Sequence, residues 1–471
     1  MAAAALLLLC AAAPGGAQAQ RTPGDPVQAL VQSLEQQYSS ALHLYQVGRL
    51  DEARAAFDAT LDRLLGTNYS IPDTPALQKE LDSLLDRIHA IESDTLDSGG
   101  MSNTRPTPKE TIPELTFPID AATRAEIEKS TAPATTASAP DKAQELPIEL
   151  NDTVIRYIHY FTTTGREGLL RDYRRAGRYR AMIDRIFTSE GIPDELIYLA
   201  QLESSYDPVL VSRAGARGMW QFMASRSEDY GLKRTAWVDE RDDPEKATRA
   251  AAEHLKDLYK EFGDWFLAMA AYNAGPGAIQ KIVARTGYAD YWTLYARNDL
   301  PRYVRNYVPV ILATALIARN PEKYGLPPVV PDAPYQVDEM PLDAAVDLKL
   351  IADCASVTVS DLQHLNPSLL HTRAPAGFEL KLPAGTGQQV SQVLERIPAG
   401  DRLSWRVHWS RAGDTWAALA RQYHLTPDRL AGANETTAST PIAEGTAVLL
   451  PVGADGGRTA PRKKTSRKLH L

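Results

Sequence analysis

Apolar and polar positions along the chain fall into helical periods over long stretches, most regularly between residues 148 and 325. In "LIYLAQLESSYDP", Leu196, Leu199, Ala200 and Glu203 recur at i, i+3, i+4 and i+7, so they share one helix face. The spacing predicts a helix that starts at Pro193 and ends near Ser204 or Ser205, because Asp207-Pro208 resists continuation. A second helix opens at Asp243-Pro244 and carries Leu255, Leu258 and Phe262 on one side. "DWFLAMAAYNAGPG" reads as an apolar helix stopped by Gly275 and Pro276. A last helix is expected from about Arg302 to Arg319, with Val304, Tyr307, Val308, Ile311, Leu312 and Ala315 on its buried stripe. Residues 148–325 are therefore predicted to form an all-α domain.

The flanks differ in kind. Residues 26–97 read as a helical N-terminal region; "ALHLYQVGRLDEARAAFDATLDRLL" has the turn and helix of one tetratricopeptide-like hairpin, but a single copy lacks the neighbours such repeats stack on. Residues 98–147 turn rich in Ser, Thr, Pro and Ala, as in "KSTAPATTASAP", and are predicted to be a flexible linker. Beyond the proline-rich "GLPPVVPDAP", two short α+β modules are expected at 335–384 and 404–452. Each has a helical middle, an asparagine (Asn366, Asn434) and a terminal strand closed by proline. The tail, 453–471, is basic and expected to be disordered. The predicted fold class is thus multidomain: an α-helical N-terminal region, an all-α central domain and small α+β modules.

At 471 residues the chain is long enough for two to four domains. A formal net charge of -8 gives no sign of nucleic-acid binding. The opening "MAAAALLLLCAAAPGGAQAQ" carries an apolar run and then Ala17-Gln18-Ala19, so residues 1–19 are expected to be a cleaved signal peptide. Acylation of Cys10 is the rival, but Leu8 and Leu9 fit poorly before a lipidation site. The expected location is the periplasm or cell envelope, with membrane association open. After cleavage Cys354 is the one cysteine left, so the core must hold without a disulfide. The histidines show no metal-ligand spacing, and neither metal nor cofactor is expected.

Glu203 is where chemistry is expected. A carboxylate on an apolar stripe is costly to bury charged, and a helix C-terminus disfavours its charge further. Both favour a group that can hold a proton and pass it on, as a general acid does. "SRAGARGMWQFM" follows closely; its glycines let backbone approach a ligand, and Trp220 and Gln221 offer a stacking face and an amide.

The ordered series "ESSYDP", "SRAGARGMWQFM", "MAAYNAGPG" and "LPRYVRNYVP" resembles the lytic transglycosylase domain, the goose-lysozyme-like SLT fold, over roughly residues 150–325. The C-terminal modules resemble LysM repeats. The second has the Gly-Asp-Thr turn in "AGDTWAALARQYHLTPDRLAGAN", while the first lacks it and is degenerate. The resemblance implies Glu203 as the single acid/base, with Ser204 beside it. It implies Gly218, Gln221, Met223, Tyr272 and Asn273 along a sugar groove, and Tyr307 completing the cleft. Departures are Ala224 where proline is usual, Tyr303 where glutamate is common, and Ser410 for valine in the second LysM module.

The implied partner is peptidoglycan, cut between N-acetylmuramic acid and N-acetylglucosamine with formation of a 1,6-anhydro sugar, and the LysM modules would hold N-acetylglucosamine-containing polymer. Two alternatives stand beside it. One is a hydrolytic muramidase, which needs a second carboxylate, with Asp207, Glu228 and Asp229 nearby in sequence. The other is a non-catalytic wall-binding protein.

Overall fold

In a computed structural model, the structure describes residues 25–46, scattered positions between 53 and 84, 105–131, 146–148, 150–235 and 237–451. The expected signal peptide with Cys10, and the basic tail, lie outside the described residues. The chain divides into two compact units, residues 1–88 with 297–299, and the remainder.

In the first unit, helix Pro26–Gln46 buries Leu34 and Ala41 completely and packs Tyr38 against Phe57, ring centroids 5.7 Å apart. The second half of the expected hairpin is described only in part.

The second unit contains the helical domain. Its central helix, Tyr307–Arg319, is buried at every position from Tyr307 to Ile317. It packs against helices Asp152–Thr162, Tyr198–Ser204 and Trp265–Ala274. A helix apolar all round is a core helix, and Trp265–Ala271 is likewise wholly buried. Capping fixes where the surrounding helices start. Asn151 accepts from the amides of Thr153 and Val154, Asp243 from Glu245 and Lys246, and Asp264 from Leu267. Leu255 and Leu258 of helix Pro244–Phe262 are buried, while Phe262 is only partly so.

Three sequence expectations need correction. The helix expected over 302–319 is two helices, Arg302–Arg305 and Tyr307–Arg319, with Asn306 between them. Pro309 has no N–H to give the Arg305 carbonyl and its ring opposes a continuous turn there. The Tyr291 hydroxyl donates to that carbonyl instead, at 2.9 Å. The helix expected from Pro193 begins as a 3-10 turn, Asp194–Ile197, before the α-helix Tyr198–Ser204.

The third correction concerns the linker. Residues 105–131, within the stretch read as flexible, are ordered against the helical domain. They form a helical turn, Pro108–Thr111, and a helix, Ala121–Thr131, which buries Ile127. Ile112, Leu115 and Ile119 pack on the core, the Tyr157 hydroxyl donates to the Pro113 carbonyl at 3.2 Å, and Arg124 pairs with Asp152 at 2.7 Å. Mean composition hid a sparse set of anchors, one apolar residue every few positions.

The two C-terminal modules share one plan. The first pairs Val337–Pro341 with Glu379–Pro383 antiparallel around helices Leu348–Ala355 and Val359–Leu365. It continues past the expected end at 384 into helix Gly387–Glu395, which packs on Leu348–Ala355. The second pairs Arg406–Trp409 with Ala447–Leu450 around helices Trp416–Gln422 and Pro427–Ala433. Asn366 and Asn434 do one job in both. Asn366 donates to the carbonyls of Leu362 and Lys381 and accepts from Lys381 N–H, at 2.7–2.8 Å. Asn434 repeats this with Leu430 and Leu449. Only an amide side chain offers donors and an acceptor together, so this position staples the second helix to the last strand.

The modules are not separate beads. Arg406 pairs with Asp353 at 2.7 Å, Trp409 Nε1 donates to the Asp353 carbonyl at 2.8 Å, and Val407, Ala447 and Leu449 lie in the first module's core. The first module in turn bonds to the helical domain, Asp239 N–H to the Ser368 carbonyl and Leu370 N–H to the Trp237 carbonyl.

A fragment spanning 336–451 is therefore expected to unfold in one cooperative transition, whereas an isolated 404–452 fragment exposes Val407 and Leu449 and should melt lower or not fold. Circular dichroism melts of the two fragments decide it. Equal midpoints would show that the shared core contributes nothing.

Candidate functional site

The helix Tyr198–Ser204 is buried on all seven residues and ends at Ser205, whose φ is 53°. Glu203 sits in its last turn with 1% exposure. The Tyr307 hydroxyl, from the first position of the central helix, donates to Glu203 Oε1 at 2.8 Å. Burial first, then the Glu203 charge, push the Tyr307 hydroxyl well above its ordinary range, so it stays a donor. The break at Asn306 sets this contact, because it makes Tyr307 the start of a new helix.

The loop after Glu203 is a tight turn closed by reciprocal bonds between Arg217 and Phe222, both 3.1 Å. Arg217 grips the buried Asp242 with three bonds, at 2.9, 2.8 and 2.7 Å. Gly218 has φ 87°, and a Cβ there would lie 1.9 Å from the Arg241 carbonyl oxygen. Gln221 holds a positive φ of 51°, unusual for a residue with a side chain. Its amide nitrogen donates to the carbonyls of Leu210 and Gly218, at 3.0 and 2.9 Å. Those two acceptors fix the amide orientation and leave Oε1 buried without a partner.

A cleft joins Glu203, Gln221, Met223, Tyr272 and Asn273, together with Ser212 and Ala216. The structure thus brings five of the eight expected residues to one wall. Tyr307 acts from behind Glu203. Gly218 contributes its backbone to the turn rather than a surface. Ser204 faces away: its hydroxyl lies 2.8 Å from the Met219 carbonyl and accepts from Asp207 N–H at 3.2 Å, tying loop to helix. Tyr272 donates to the Trp220 carbonyl at 2.8 Å and packs on His254, ring centroids 5.2 Å apart. Burial lowers His254 to about 4, so at neutral pH it is an uncharged support, bonded to the Tyr230 hydroxyl at 2.9 Å.

Sequence reasoning missed four lining residues: Ser212 and Ala216, unnamed within the glycine-rich stretch, and Lys109 and Glu110, which fall in the supposed linker. Lys109 Nζ lies 2.7 Å from Glu203 Oε2 and donates to Asn273 Oδ1 at 3.3 Å. Oε2 nevertheless has no aligned hydrogen bond, so its contact with Lys109 is one of charge. Glu110 Oε2 accepts from Thr107 N–H at 3.0 Å. The acids considered for a hydrolase lie elsewhere: Asp207 pairs with Arg105 at 2.5 Å and accepts from Val209 N–H, and Asp229 pairs with Arg226.

A helical domain with one buried glutamate under a tyrosine, followed by two asparagine-stapled modules, defines the class of protein. Residues 183–295 match the transglycosylase SLT domain family, 336–399 the LysM-like domain of lytic transglycosylase MltD, and 411–451 the LysM domain. The chain thus carries an SLT domain and two LysM-type modules. It is similar to membrane-bound lytic murein transglycosylase D of Escherichia coli (strain K12), 29% identical over 303 residues, 61% of this chain and 66% of the relative. The match thus spans just under two thirds of that relative's length. It is also similar to membrane-bound lytic murein transglycosylase F of Maricaulis maris, 35% identical over 114 residues, 22% of this chain and 23% of the relative. A solved structure, the 70 kDa soluble lytic transglycosylase from Escherichia coli, aligns at 15% identity over 63% of each chain, with a TM-score of 0.31.

Gly218→Ala is expected to destabilise the domain by more than about 1 kcal/mol, since it joins a positive φ to a clash with backbone. Urea denaturation measures it, and an unchanged midpoint would mean the turn relaxes freely.

The pH dependence has a definite sign. His254 has a lowered value in the folded chain, so its contribution is present above the unfolded value near 6.5 and is lost as pH falls towards 4. The full span is on the order of 3 kcal/mol. His254→Phe should therefore flatten the decline of the thermal midpoint between pH 6.5 and 4 relative to wild type; parallel curves would contradict it.

Proposed function

We infer that the chain is a peptidoglycan lytic transglycosylase of the cell envelope, cutting the β-1,4 bond between N-acetylmuramic acid and N-acetylglucosamine. The observation that carries this reading is Glu203, a cleft-lining residue buried at 1% exposure, with Tyr307 donating to one oxygen and Lys109 beside the other.

Protonated Glu203 gives its proton to the glycosidic oxygen as the C1–O bond breaks. The resulting carboxylate then takes the proton of the sugar's own 6-hydroxyl, whose oxygen bonds to C1. Atoms balance without water: the products are a free 4-hydroxyl on N-acetylglucosamine and a 1,6-anhydro-N-acetylmuramic acid. Tyr307 holds the glutamate still through both steps by donating to Oε1 while Oε2 exchanges the proton. Gln221 Oε1, unpartnered and fixed by its amide nitrogen, is suited to accept an acetamido N–H. Met223 and Tyr272 supply an apolar wall for the sugar face, and Asn273 a polar edge.

Residues 336–451 would hold the polymer through its N-acetylglucosamine units while the cleft acts. Among the described residues, no helix is long and apolar enough to cross a membrane. Association with the membrane, if present, would come through the segment around Cys10.

One observation keeps a hydrolytic reading open to test. Among the described residues Glu110 is the other carboxylate lining the cleft, and a hydrolase needs a second carboxylate to activate water.

Glu203→Gln should keep the fold and lower turnover of purified sacculi by at least about 10²–10⁴-fold, because one group serves as acid and base. Wild-type products should be muropeptides one water lighter than hydrolysed ones by mass. Reducing-end products, together with an inactive Glu110→Gln variant, would establish the hydrolase instead.

A further inference from the structure

The segment 105–117 crosses the cleft mouth and places a cation where the substrate must react. Its path is fixed on one side by Arg105, whose N–H donates to the Val211 carbonyl at 3.1 Å and whose guanidinium pairs with Asp207. On the other side Glu114 accepts from Arg302 Nε at 2.9 Å, and the Phe117 carbonyl accepts from Arg156 Nε at 2.9 Å. Between these anchors the turn Pro108–Thr111 packs on the helix that carries Glu203. Lys109 Nζ then stands 2.7 Å from Glu203 Oε2.

Two consequences follow for the reaction inferred above. The glycosidic oxygen must come within about 2.6–3.2 Å of the oxygen that donates the proton. Tyr307 already holds Oε1, so Oε2 is the oxygen left for substrate, and the Lys109 ammonium occupies its approach. Lys109 takes Asn273 Oδ1 as well, removing a second polar group from the cleft.

Space gives an independent argument. With the segment in place the cleft has a free volume of about 70 Å³. Pockets that take ligands of drug size offer roughly 300–1,000 Å³, so a disaccharide does not enter. The same segment, through Arg105, Pro106, Pro108 and Ile112, walls a second cavity of about 510 Å³ beside Gln201 and Ser204.

The geometry points to an autoinhibitory strap: residues 105–117 close the glycan groove, with Lys109 standing in for the substrate at Glu203, and the strap must swing out before a strand can bind. This rests on the transglycosylase reading of the cleft. The polar anchors at its two ends suit a removable strap, while Ile112 and Leu115 between them pack on the core. Arg105 and Arg302 are 60% and 70% exposed, and exposed ion pairs hold weakly.

The test uses the full chain on purified sacculi, reading initial release of soluble muropeptides by mass. Lys109→Met keeps the apolar stem and removes the cation; it should raise the initial rate about tenfold. A second variant, Arg105→Ala with Glu114→Ala, loosens the anchors without touching Glu203 and should raise the rate in the same direction. Thermal melts of each variant confirm that the chain stays folded. A lower rate in Lys109→Met, with the fold intact, would make Lys109 part of the catalytic machinery and overturn the strap. Equal rates in all three proteins would overturn it as well. If the wild type and every variant release no anhydro product, the transglycosylase reading fails, which is a different outcome from an active wild type that Lys109→Met does not accelerate.

Discussion

A carboxylate kept almost entirely out of water is the constraint around which this domain is organised. Glu203 has 1% exposure, and an ionised group at that depth is sustainable only when other groups meet its charge. Tyr307 gives it a hydrogen bond and Lys109 gives it a countercharge. Each of these partners needs its own framework. Tyr307 depends on the chain break at Asn306, which depends on Pro309. Lys109 depends on a segment from outside the main helical block. The glycine turn at Gly218 depends on Arg241 and on the Arg217–Asp242 grip behind it.

The sequence made the repetitive part of this design legible. Caps and stops are local chemistry, so Asp243 and Gly275 mark helix ends that the structure also has. The apolar stripe of 302–319 located the central helix, and the odd acid on a buried face located Glu203. What was not legible came from interactions between distant parts. The helix break follows from a proline whose effect competes with a strong stripe, and its freed carbonyl is taken by Tyr291, far away in sequence. Ser204, adjacent to the acid, faces the loop rather than the cleft because its hydroxyl ties to Met219 and Asp207. Adjacency in sequence on a helix is not adjacency in a site, since neighbours point about 100° apart.

The segment 105–131 shows how composition misleads. Its Ser, Thr and Pro content argues for a solvated chain, and over a long window that average holds. Within it, however, Thr107-Pro108-Lys109-Glu110 has the threonine, proline and glutamate spacing of a helix start. Ile112, Leu115, Phe117 and Ile119 follow at short intervals. Those signals were present and were outvoted by the average. A site can be completed by a stretch with little core of its own, because it borrows the domain's core: Ile112, Leu115 and Ile119 pack on helices formed elsewhere.

The same economy of contact links the C-terminal modules to the cleft. The Asn366 and Asn434 staples tie each module's last strand to its second helix. The modules then share a core with one another through Val407 and Leu449, and the first bonds backbone to backbone with Trp237 and Asp239. Asp239 also pairs with Arg241, whose guanidinium holds the Phe222 carbonyl at the foot of the Gln221 turn. A continuous chain of hydrogen bonds therefore runs from the first LysM-type module, through Ser368, Asp239 and Arg241, to the turn that positions Gln221. The first module and the wall of the cleft are thus joined by backbone bonds and a buried guanidinium rather than by a loose tether.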